Sequence, residues 1–281
     1  MPRPNFLIIG AAKAGTSWVA NKLDQHPQAF VGDSTYFFDN PAQFAKGVAW
    51  YEQCFHKGEG KLAVGEKTPS YLWGSKYTGD DPSIVPHRAR QVLPDAKIIV
   101  ILRNPVTRAV SHFNYAIRTG HLSPLYNIDK VLTGKQAPEK GKRILERGLY
   151  ARQIERWLNY FPREQMQILS LERDAIGRPI ETLEKLCRFL GIDASFRFKD
   201  ADKADNQRLT RAELVMKYYA RPLQRVFHAA FKPLLDRLPN KGIQASPETI
   251  AYLGNYYTEE NERLARLLDW DLAIWSRKKA A

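Results

Sequence analysis

The feature that most constrains this chain is a glycine-spaced loop between a short apolar run and an amphipathic segment. Residues 6–9 are Phe-Leu-Ile-Ile, and glycines follow at positions 10 and 15. An apolar run of this length, rich in branched residues and ending at glycine, predicts a fully buried parallel strand. Apolar residues at positions 18, 19 and 23 fit one face of a helix. The sequence therefore predicts a strand, a tight loop and a helix in succession.

This loop, residues 10–17, is called the phosphate loop because its spacing is typical of phosphate binding. Gly10 and Gly15 have the separation of a P-loop, whose backbone N–H groups converge on an anion at the start of a helix. P-loop triphosphatases carry lysine directly after the second glycine, but that position is Thr16 and the lysine is Lys13. We also find no separate acidic strand end suited to Mg²⁺. Triphosphate chemistry is disfavoured, and a P-loop nucleotide or small-molecule kinase is the alternative hypothesis.

Strands and helices alternate further along the chain. Residues 97–102 predict a second buried strand, and residues 106–117 a helix after it. Residues 167–171 predict a third strand, preceded by a helix over 150–161 and followed by one over 178–190. This alternation predicts an α/β fold of the P-loop-like, three-layer type, in which helices flank a central parallel sheet.

The last third of the chain has a different pattern. Beyond residue 198, lysine, arginine and aromatic residues recur at helical spacing, which predicts a helical C-terminal region. Breaks are expected near Pro222, Pro233, Pro239 and Pro247. Residues 134–142 contain two glycines and a proline and are the best candidate for a mobile loop. We see no internal repeat and no domain linker.

The charge balance favours an anionic partner. The chain has 43 Lys and Arg against 30 Asp and Glu, a formal net charge of +13, which attracts anions. Nucleic acid is the obvious candidate from charge alone, so a non-catalytic binder of a nucleotide or of nucleic acid is a third hypothesis.

The cysteines, histidines and apolar runs exclude several other classes of protein. Cys54 and Cys187 are too few for a disulfide framework or a cysteine zinc site, and the six histidines are scattered, so we expect no metal. No apolar run approaches the roughly 20 residues of a membrane span, and the N-terminal run is too short for a signal peptide. These observations together predict a cytoplasmic protein with no transmembrane segment.

Two motifs give the chain a family resemblance. Residues 13–18, Lys-Ala-Gly-Thr-Ser-Trp, resemble the loop that binds the 5′-phosphosulfate of 3′-phosphoadenosine 5′-phosphosulfate (PAPS) in PAPS-dependent sulfotransferases. Arg103, at a strand end, and Ser111, eight residues later, resemble the 3′-phosphate site of that family. An arginine fork and a hydroxyl group are suitable donors for a phosphate. Residues 36–39 and 65–71 resemble the carbohydrate sulfotransferase branch and its bacterial relatives. Residues 269–275 resemble the close of the bacterial members, which implies a single catalytic domain over residues 1–281.

The resemblance implies a co-substrate and a set of residues that bind it. PAPS is the expected co-substrate and 3′-phosphoadenosine 5′-phosphate (PAP) the product. Tyr150 lies in a segment similar to one near the cofactor and acceptor cleft of the family. The implied nucleotide-binding residues are Lys13, Ala14, Gly15, Thr16, Ser17, Trp18, Arg103, Ser111 and Tyr150.

The implied reaction is transfer of a sulfuryl group to a hydroxyl or amine of an acceptor. Lys13 would neutralise the charge that grows on the leaving phosphate. Lys67 lies in a family motif close to the reacting centre and is the second candidate cation. The acceptor could be a carbohydrate, a lipid or a phenolic or alcoholic small molecule, and we expect no nucleic acid as partner.

A hydroxyl acceptor must also lose its proton to a base within hydrogen-bond reach. Many carbohydrate sulfotransferases carry Glu two residues before the aromatic residue of a His/Tyr-Phe-Phe element, but Ser34 stands at that position here. Asp33 is one residue further back, and we expect it to be the base. Glu66 and His112 are the alternatives.

Overall fold

The structure is a computed structural model, and the chain in it forms two compact units. The residues that it describes are 1–74, 81–136, 139–203 and 242–276, with the side chains of 139–142 left out. The first unit takes in the described residues of 1–103, 150–205 and 264–281. The second takes in those of 104–149 and 206–263.

The first unit is built on a five-stranded sheet. Its strands are β1 (Phe6–Gly10), β2 (Ala29–Gly32), β3 (Ala63–Lys67), β4 (Lys97–Leu102) and β5 (Met166–Ser170). They lie in the order β2-β3-β1-β4-β5, and every neighbouring pair is parallel. The predicted central parallel sheet is confirmed, with the glycine-terminated strand β1 at its centre.

Helices form a large part of the remaining described chain. They are α1 (Thr16–Leu23), α2 (Pro41–Phe44), α3 (Gly47–Gln53), α4 (Ile84–Val92), α5 (Pro105–Arg118), α6 (Ile128–Leu132), α7 (Glu139–Glu146), α8 (Tyr150–Leu158), α9 (Pro179–Leu190), α10 (Pro247–Tyr256), α11 (Thr258–Leu268) and α12 (Ala273–Ser276). A π-helical turn, Leu171–Ile176, follows β5 directly.

The sheet of the first unit is covered on both faces. Side chains alternate along β1, so Leu7 and Ile9 enter one core cluster, which includes residues of α8, while Phe6 and Ile8 enter the other, which includes residues of α1 and α9. All four side chains are fully buried. Burial of each contributes about 1.5–3 kcal/mol, and the result is the predicted three-layer arrangement of helices, sheet and helices.

Most predicted elements are confirmed, and the differences have physical reasons. The strand predicted over 167–171 ends at Ser170, because Leu171 begins the π-helical turn. The sequence did not reveal β2 and β3. Strand β3 ends in Gly-Glu-Lys, which are residue types depleted in strands. It forms because β1 and β2 hydrogen-bond it on both sides.

The segment 134–142 was predicted as a loop, and this is wrong for its second half. Helix α7 begins at Glu139, and Ile144 on that helix is buried in the core of the second unit. Burial of that apolar position stabilises a helix where glycine and proline suggested none. Residues 137 and 138 lie outside the described residues.

The C-terminal region is helical in its described part, as predicted, through α10, α11 and α12. The break predicted near Pro247 is present, because residues 242–246 are not helical and α10 begins at Pro247. Proline is well tolerated in a first helical turn, and the Ser246 hydroxyl accepts a hydrogen bond from Thr249 N at 3.2 Å. The other three predicted breaks, near Pro222, Pro233 and Pro239, lie outside the described residues.

Candidate active site

Three cationic residues lie at or just after the ends of three adjacent strands of the first unit. Lys13 lies in the phosphate loop after β1, Lys67 is the last residue of β3, and Arg103 comes directly after β4. Strand β1 lies between β3 and β4. Because parallel strands end at the same edge of a sheet, the sheet itself brings these residues to one edge.

The backbone of the phosphate loop is left-handed at two positions. Lys13 has φ 70° and Gly15 has φ 101°. A Cβ atom at Gly15 would lie 2.9 Å from Leu171 Cδ1 and 3.4 Å from Ile101 Cδ1, so only glycine satisfies both the angle and the space. Helix α1 then begins at Thr16 without a side-chain cap and without an acidic residue in its first turn. Such a helix start favours an anion.

Hydrogen bonds tie the phosphate loop to the neighbouring strand ends. The Lys67 ammonium lies 3.5 Å from Ser17 Oγ, to which it donates. One guanidinium nitrogen of Arg103 donates to the Lys13 carbonyl at 3.2 Å. The backbone carbonyl of Arg103 in turn accepts from the Tyr150 hydroxyl at 2.9 Å. The structure thus brings together five of the predicted nucleotide-binding and catalytic residues.

The segment that follows β2, residues 33–38, reaches the same edge and is called the β2 segment. It begins beside Lys67, because Gly32 pairs with Glu66 and Ser34 Oγ donates to the Lys67 carbonyl at 2.5 Å. Asp33 is exposed. Tyr36 has φ 55°, an uncommon angle for a large side chain, and is 37% exposed. The β2 segment therefore presents a carboxylate and an aromatic ring to solvent.

Glu66 faces the opposite way from Lys67 and is fully buried. Its Oε2 accepts from Thr35 N, Thr35 Oγ1 and Thr68 Oγ1 at 2.8–3.0 Å. Its Oε1 accepts from the hydroxyls of Tyr51 and Tyr71 at 3.0 and 2.9 Å. Burial raises the pKa of this carboxyl above its usual value, and the hydrogen bonds from Thr35, Thr68 and Tyr71 counteract part of that effect on the pKa.

Ser111 and His112 lie on α5, in the second unit, and both are half-buried. His112 Nδ1 lies 3.2 Å from a guanidinium nitrogen of Arg108, which is fully buried and also donates to the Ile144 carbonyl. Arginine has no acceptor, so Nδ1 of His112 must accept this bond. The neutral imidazole then carries its proton on Nε2.

Trp18, also predicted to bind the nucleotide, is buried, and its indole N–H donates to the Ala201 carbonyl at 3.0 Å. Its side chain therefore anchors α1 to the chain after α9. Only its backbone N–H, in the first turn of the helix, remains suitable for an anion.

Metal and membrane features were also sought in the part of the chain that the structure describes. It contains no group of three or more His, Cys, Asp or Glu side chains that could hold a metal ion. It also contains no helix that is long and apolar enough to cross a membrane.

Comparison with known families identifies this arrangement. A family model described as "Sulfotransferase domain" matches residues 3–212, which is well over half of the chain. The chain belongs to the sulfotransferase family. Both the phosphate loop and the Arg103 strand end lie inside the matched residues.

Curated relatives of this sulfotransferase place it near enzymes named for heparan sulfate. It is 33% identical over 195 residues to human heparan sulfate glucosamine 3-O-sulfotransferase 3B1, covering 67% of this chain and 46% of the relative. It is 31% identical over 204 residues to mouse bifunctional heparan sulfate N-deacetylase/N-sulfotransferase 2, covering 67% of this chain and 22% of the relative. The chain thus spans about half, or less, of the length of these relatives.

Solved structures support the fold over nearly the whole chain. A sulfotransferase from Alicyclobacillus acidocaldarius is 25% identical, with a TM-score of 0.72 over 99% of this chain and 100% of that one. The sulfotransferase domain from the curacin biosynthetic pathway has a TM-score of 0.52 at 13% identity, over 97% of this chain and 100% of that one, and supports the fold alone.

Some residues that shape the site were not found from the sequence. Leu171 fixes the space at Gly15, and Tyr51, Tyr71, Thr35 and Thr68 surround Glu66. A leucine after a strand carries no local signal of such a contact. For Glu66, the available signal was a carboxylate in the middle of a strand-forming segment, which demands nearby donors if it is buried.

Proposed function

We propose that this chain transfers the sulfuryl group of PAPS to a hydroxyl or amine of an acceptor. The observation that carries the proposal is the set of three cations, Lys13, Lys67 and Arg103, at the ends of three adjacent strands beside the uncapped start of α1. A donor with phosphate groups at two separate positions matches such a distributed set of cations and N–H groups. Membership of the sulfotransferase family supports the same donor.

We assign the donor-binding residues as follows. The backbone N–H groups of Ala14 to Trp18 and the side chain of Lys13 hold the 5′-phosphosulfate at the helix start. Arg103 and Ser111 hold the 3′-phosphate, the arginine through its fork of donors and the serine through its hydroxyl. Tyr150 is fully buried, so it acts on the nucleotide through the Arg103 backbone.

In the reaction, the bond between sulfur and the bridging phosphate oxygen breaks while a bond from sulfur to the acceptor oxygen or nitrogen forms. Negative charge grows on the leaving phosphate, and Lys13 neutralises it. Lys67, which contacts Ser17 at the start of α1, supplies a second positive charge at the same edge. In-line placement of acceptor, sulfur and leaving oxygen supplies the remaining rate enhancement.

The proton of a hydroxyl acceptor goes to Asp33. This carboxylate is exposed on the β2 segment, next to the residue that hydrogen-bonds the Lys67 backbone. Glu66 is a weaker candidate, since a carboxylate has about four acceptor sites and five hydrogen bonds from protein donors already reach it. His112 is disfavoured because its Nε2 carries the proton when Arg108 occupies Nδ1.

A carbohydrate is the first acceptor to test. The names of the relatives refer to glucosamine residues and to N-sulfation of heparan sulfate, so a sugar hydroxyl or amine is the acceptor group they favour. Lipids and phenolic or alcoholic small molecules follow in the same screen. We further propose that both compact units form one catalytic domain over residues 1–281, since the matched region contains residues of each.

The direct test incubates the purified protein with isotopically labelled PAPS and panels of these acceptors. We expect mass spectrometry to detect a sulfuryl group on one class of acceptor, with release of PAP in equal amount. A parallel reaction with ATP serves as the control for a kinase. Phosphorylated acceptor from ATP, without sulfated acceptor from PAPS, would overturn the proposal.

Nucleotide binding tests the donor assignment separately from the acceptor. The protein should bind PAP about ten- to a hundredfold more tightly than adenosine 5′-phosphate, because loss of a charge-assisted contact costs about 1.5–3 kcal/mol. Titration calorimetry measures both affinities. Equal affinity for the two nucleotides would remove the assignment of Arg103 and Ser111 to the 3′-phosphate.

A further inference from the structure

The end of the described chain packs onto the first unit through Trp275, on α12. This side chain is 8% exposed. Its indole N–H donates to Glu172 Oε2 at 3.1 Å, and its ring contacts the ring of Tyr150 with centroids 6.2 Å apart. A single side chain therefore contacts both the turn after β5 and the start of α8.

One of these contacts leads to the first half of the phosphate loop. The fully buried Tyr150 donates its hydroxyl to the Arg103 carbonyl at 2.9 Å. Arg103 donates from its guanidinium to the Lys13 carbonyl at 3.2 Å. The position of the Tyr150 ring thus sets the position of the Arg103 backbone. The Arg103 guanidinium in turn holds the backbone of Lys13.

The other contact leads to the second half of the phosphate loop. Glu172 lies in the π-helical turn, directly after Leu171. The Leu171 side chain occupies the space above Gly15, where a Cβ would be 2.9 Å from Cδ1. The bond from Trp275 to Glu172 fixes the turn that holds Leu171 against this glycine.

We propose that Trp275 is a positioning residue for the phosphate loop and for Arg103. The positions of both then depend on this one side chain near the end of the described chain. The inference depends on the proposed function for the identity of the ligand. Its physical basis is that charge-assisted hydrogen bonds lose much of their strength when donors move by a fraction of an ångström. Trp275 is far from these donors in sequence and is buried, so it acts on the ligand through other residues, Tyr150 and Glu172 among them.

A second tryptophan of the same segment provides a matched control. The ring of Trp270 lies 4.2 Å from the Arg173 guanidinium, a side chain that pairs with Asp174. Trp270→Phe therefore removes an indole from the same part of the chain and leaves the contacts of Trp275 with Tyr150 and Glu172 in place.

The experiment measures calorimetric affinities for PAP and for adenosine 5′-phosphate in the full chain and in four variants, Trp275→Leu, Trp275→Phe, Tyr150→Phe and Trp270→Phe. We expect Trp275→Leu to weaken PAP binding about ten- to a hundredfold and to reduce the preference for PAP over adenosine 5′-phosphate. Trp275→Phe keeps a ring against Tyr150 and should retain most of that preference. Trp270→Phe should stay within about twofold of the unchanged protein for both nucleotides.

The ratio of the two affinities separates positioning from general destabilisation, because loss of folded protein lowers both affinities equally. If Trp275→Leu fails to fold, Tyr150→Phe decides the question, since it removes only the hydroxyl that reaches Arg103 and should lower the ratio on its own. An unchanged ratio in every folded variant, with a clear preference for PAP in the unchanged protein, overturns the inference. Absence of that preference in the unchanged protein instead overturns the proposed function.

Discussion

The phosphate loop and the β2 segment reach the same edge of one sheet but are held in different ways. The phosphate loop is shaped by packing, since Leu171 fills the space above Gly15, and by the Arg103 bond to Lys13. In the β2 segment, Thr35 donates to the buried carboxylate of Glu66 and the side chains of Phe37 and Phe38 are fully buried, whereas Asp33 is exposed. Under the proposed function, donor binding depends on the closely packed phosphate loop, whereas the acceptor side can change its exposed residues at little cost to folding.

The largest effect is expected at the exposed carboxylate of the β2 segment, Asp33. Asp33→Asn should lower turnover on a hydroxyl acceptor by about 10²- to 10⁴-fold, because the proposed base is lost, while PAP affinity stays unchanged. Steady-state kinetics with calorimetry measures the two quantities. Asp95→Asn is the control, since Asp95 is also exposed but precedes β4, at the opposite edge of the sheet. Near-normal turnover in Asp33→Asn would contradict the assignment and favour an acceptor that is already a good nucleophile.

The next largest effect tests the cation of the phosphate loop. Lys13→Ala should lower kcat by about 10²- to 10³-fold and change PAPS affinity much less, because the charge that Lys13 neutralises grows during the transfer. Lys57→Ala removes an equal charge from an exposed position of the first unit and should leave kcat unchanged. A loss confined to KM would assign Lys13 to binding alone.

A glycine substitution tests whether packing holds the phosphate loop. Gly15→Ala should destabilise the fold by about 2–5 kcal/mol, from a left-handed angle costing roughly 1–2 kcal/mol and overpacking against Leu171 costing roughly 1–3 kcal/mol. Gly60→Ala separates these two costs, because Gly60 has φ 77° but no atom within 4 Å of a built Cβ. Chemical denaturation measures both. Equal losses in the two variants would mean that the contact with Leu171 contributes nothing.

The smallest effect concerns the carboxylate that holds the β2 segment. Burial raises the pKa of Glu66, so the folded state keeps this proton at pH values where the unfolded chain has released it. The free energy of unfolding should therefore fall as pH rises from the ordinary Glu pKa to the raised one, by at most about 1.4 kcal/mol per pH unit. Denaturation curves across that pH range measure the slope of the unfolding free energy against pH. Glu66→Gln should abolish this slope.

Glu59→Gln is the control variant, because it makes the same substitution at an exposed position of the first unit. An unchanged slope in Glu66→Gln would mean that other groups cause it. Glu66→Gln should also lower stability at every pH, since an amide nitrogen cannot accept from the donors that surround this side chain.

The sequence predicted the parts of the fold that depend on local pattern. Strands β1 and β4 are continuous apolar runs with glycine or arginine after them, so their buried positions in a parallel sheet could be inferred. Strand β3 could not, because its Gly-Glu-Lys end is stabilised by pairing on both sides and by donors from distant residues. The motif of the phosphate loop likewise revealed Lys13, but the contacts of Leu171 and Trp275 depend on chain segments more than 100 residues away.

The row of strand ends has a further consequence for this protein. Neighbouring strands in a sheet lie about 4.8 Å apart, so a fold that places Lys13, Lys67 and Arg103 after adjacent strands crowds like charges together. Like charges placed close together repel each other, and a ligand with several negative charges offsets that repulsion. The melting temperature should therefore rise when PAP is added, and a variant that lacks one of these cations should show a smaller rise.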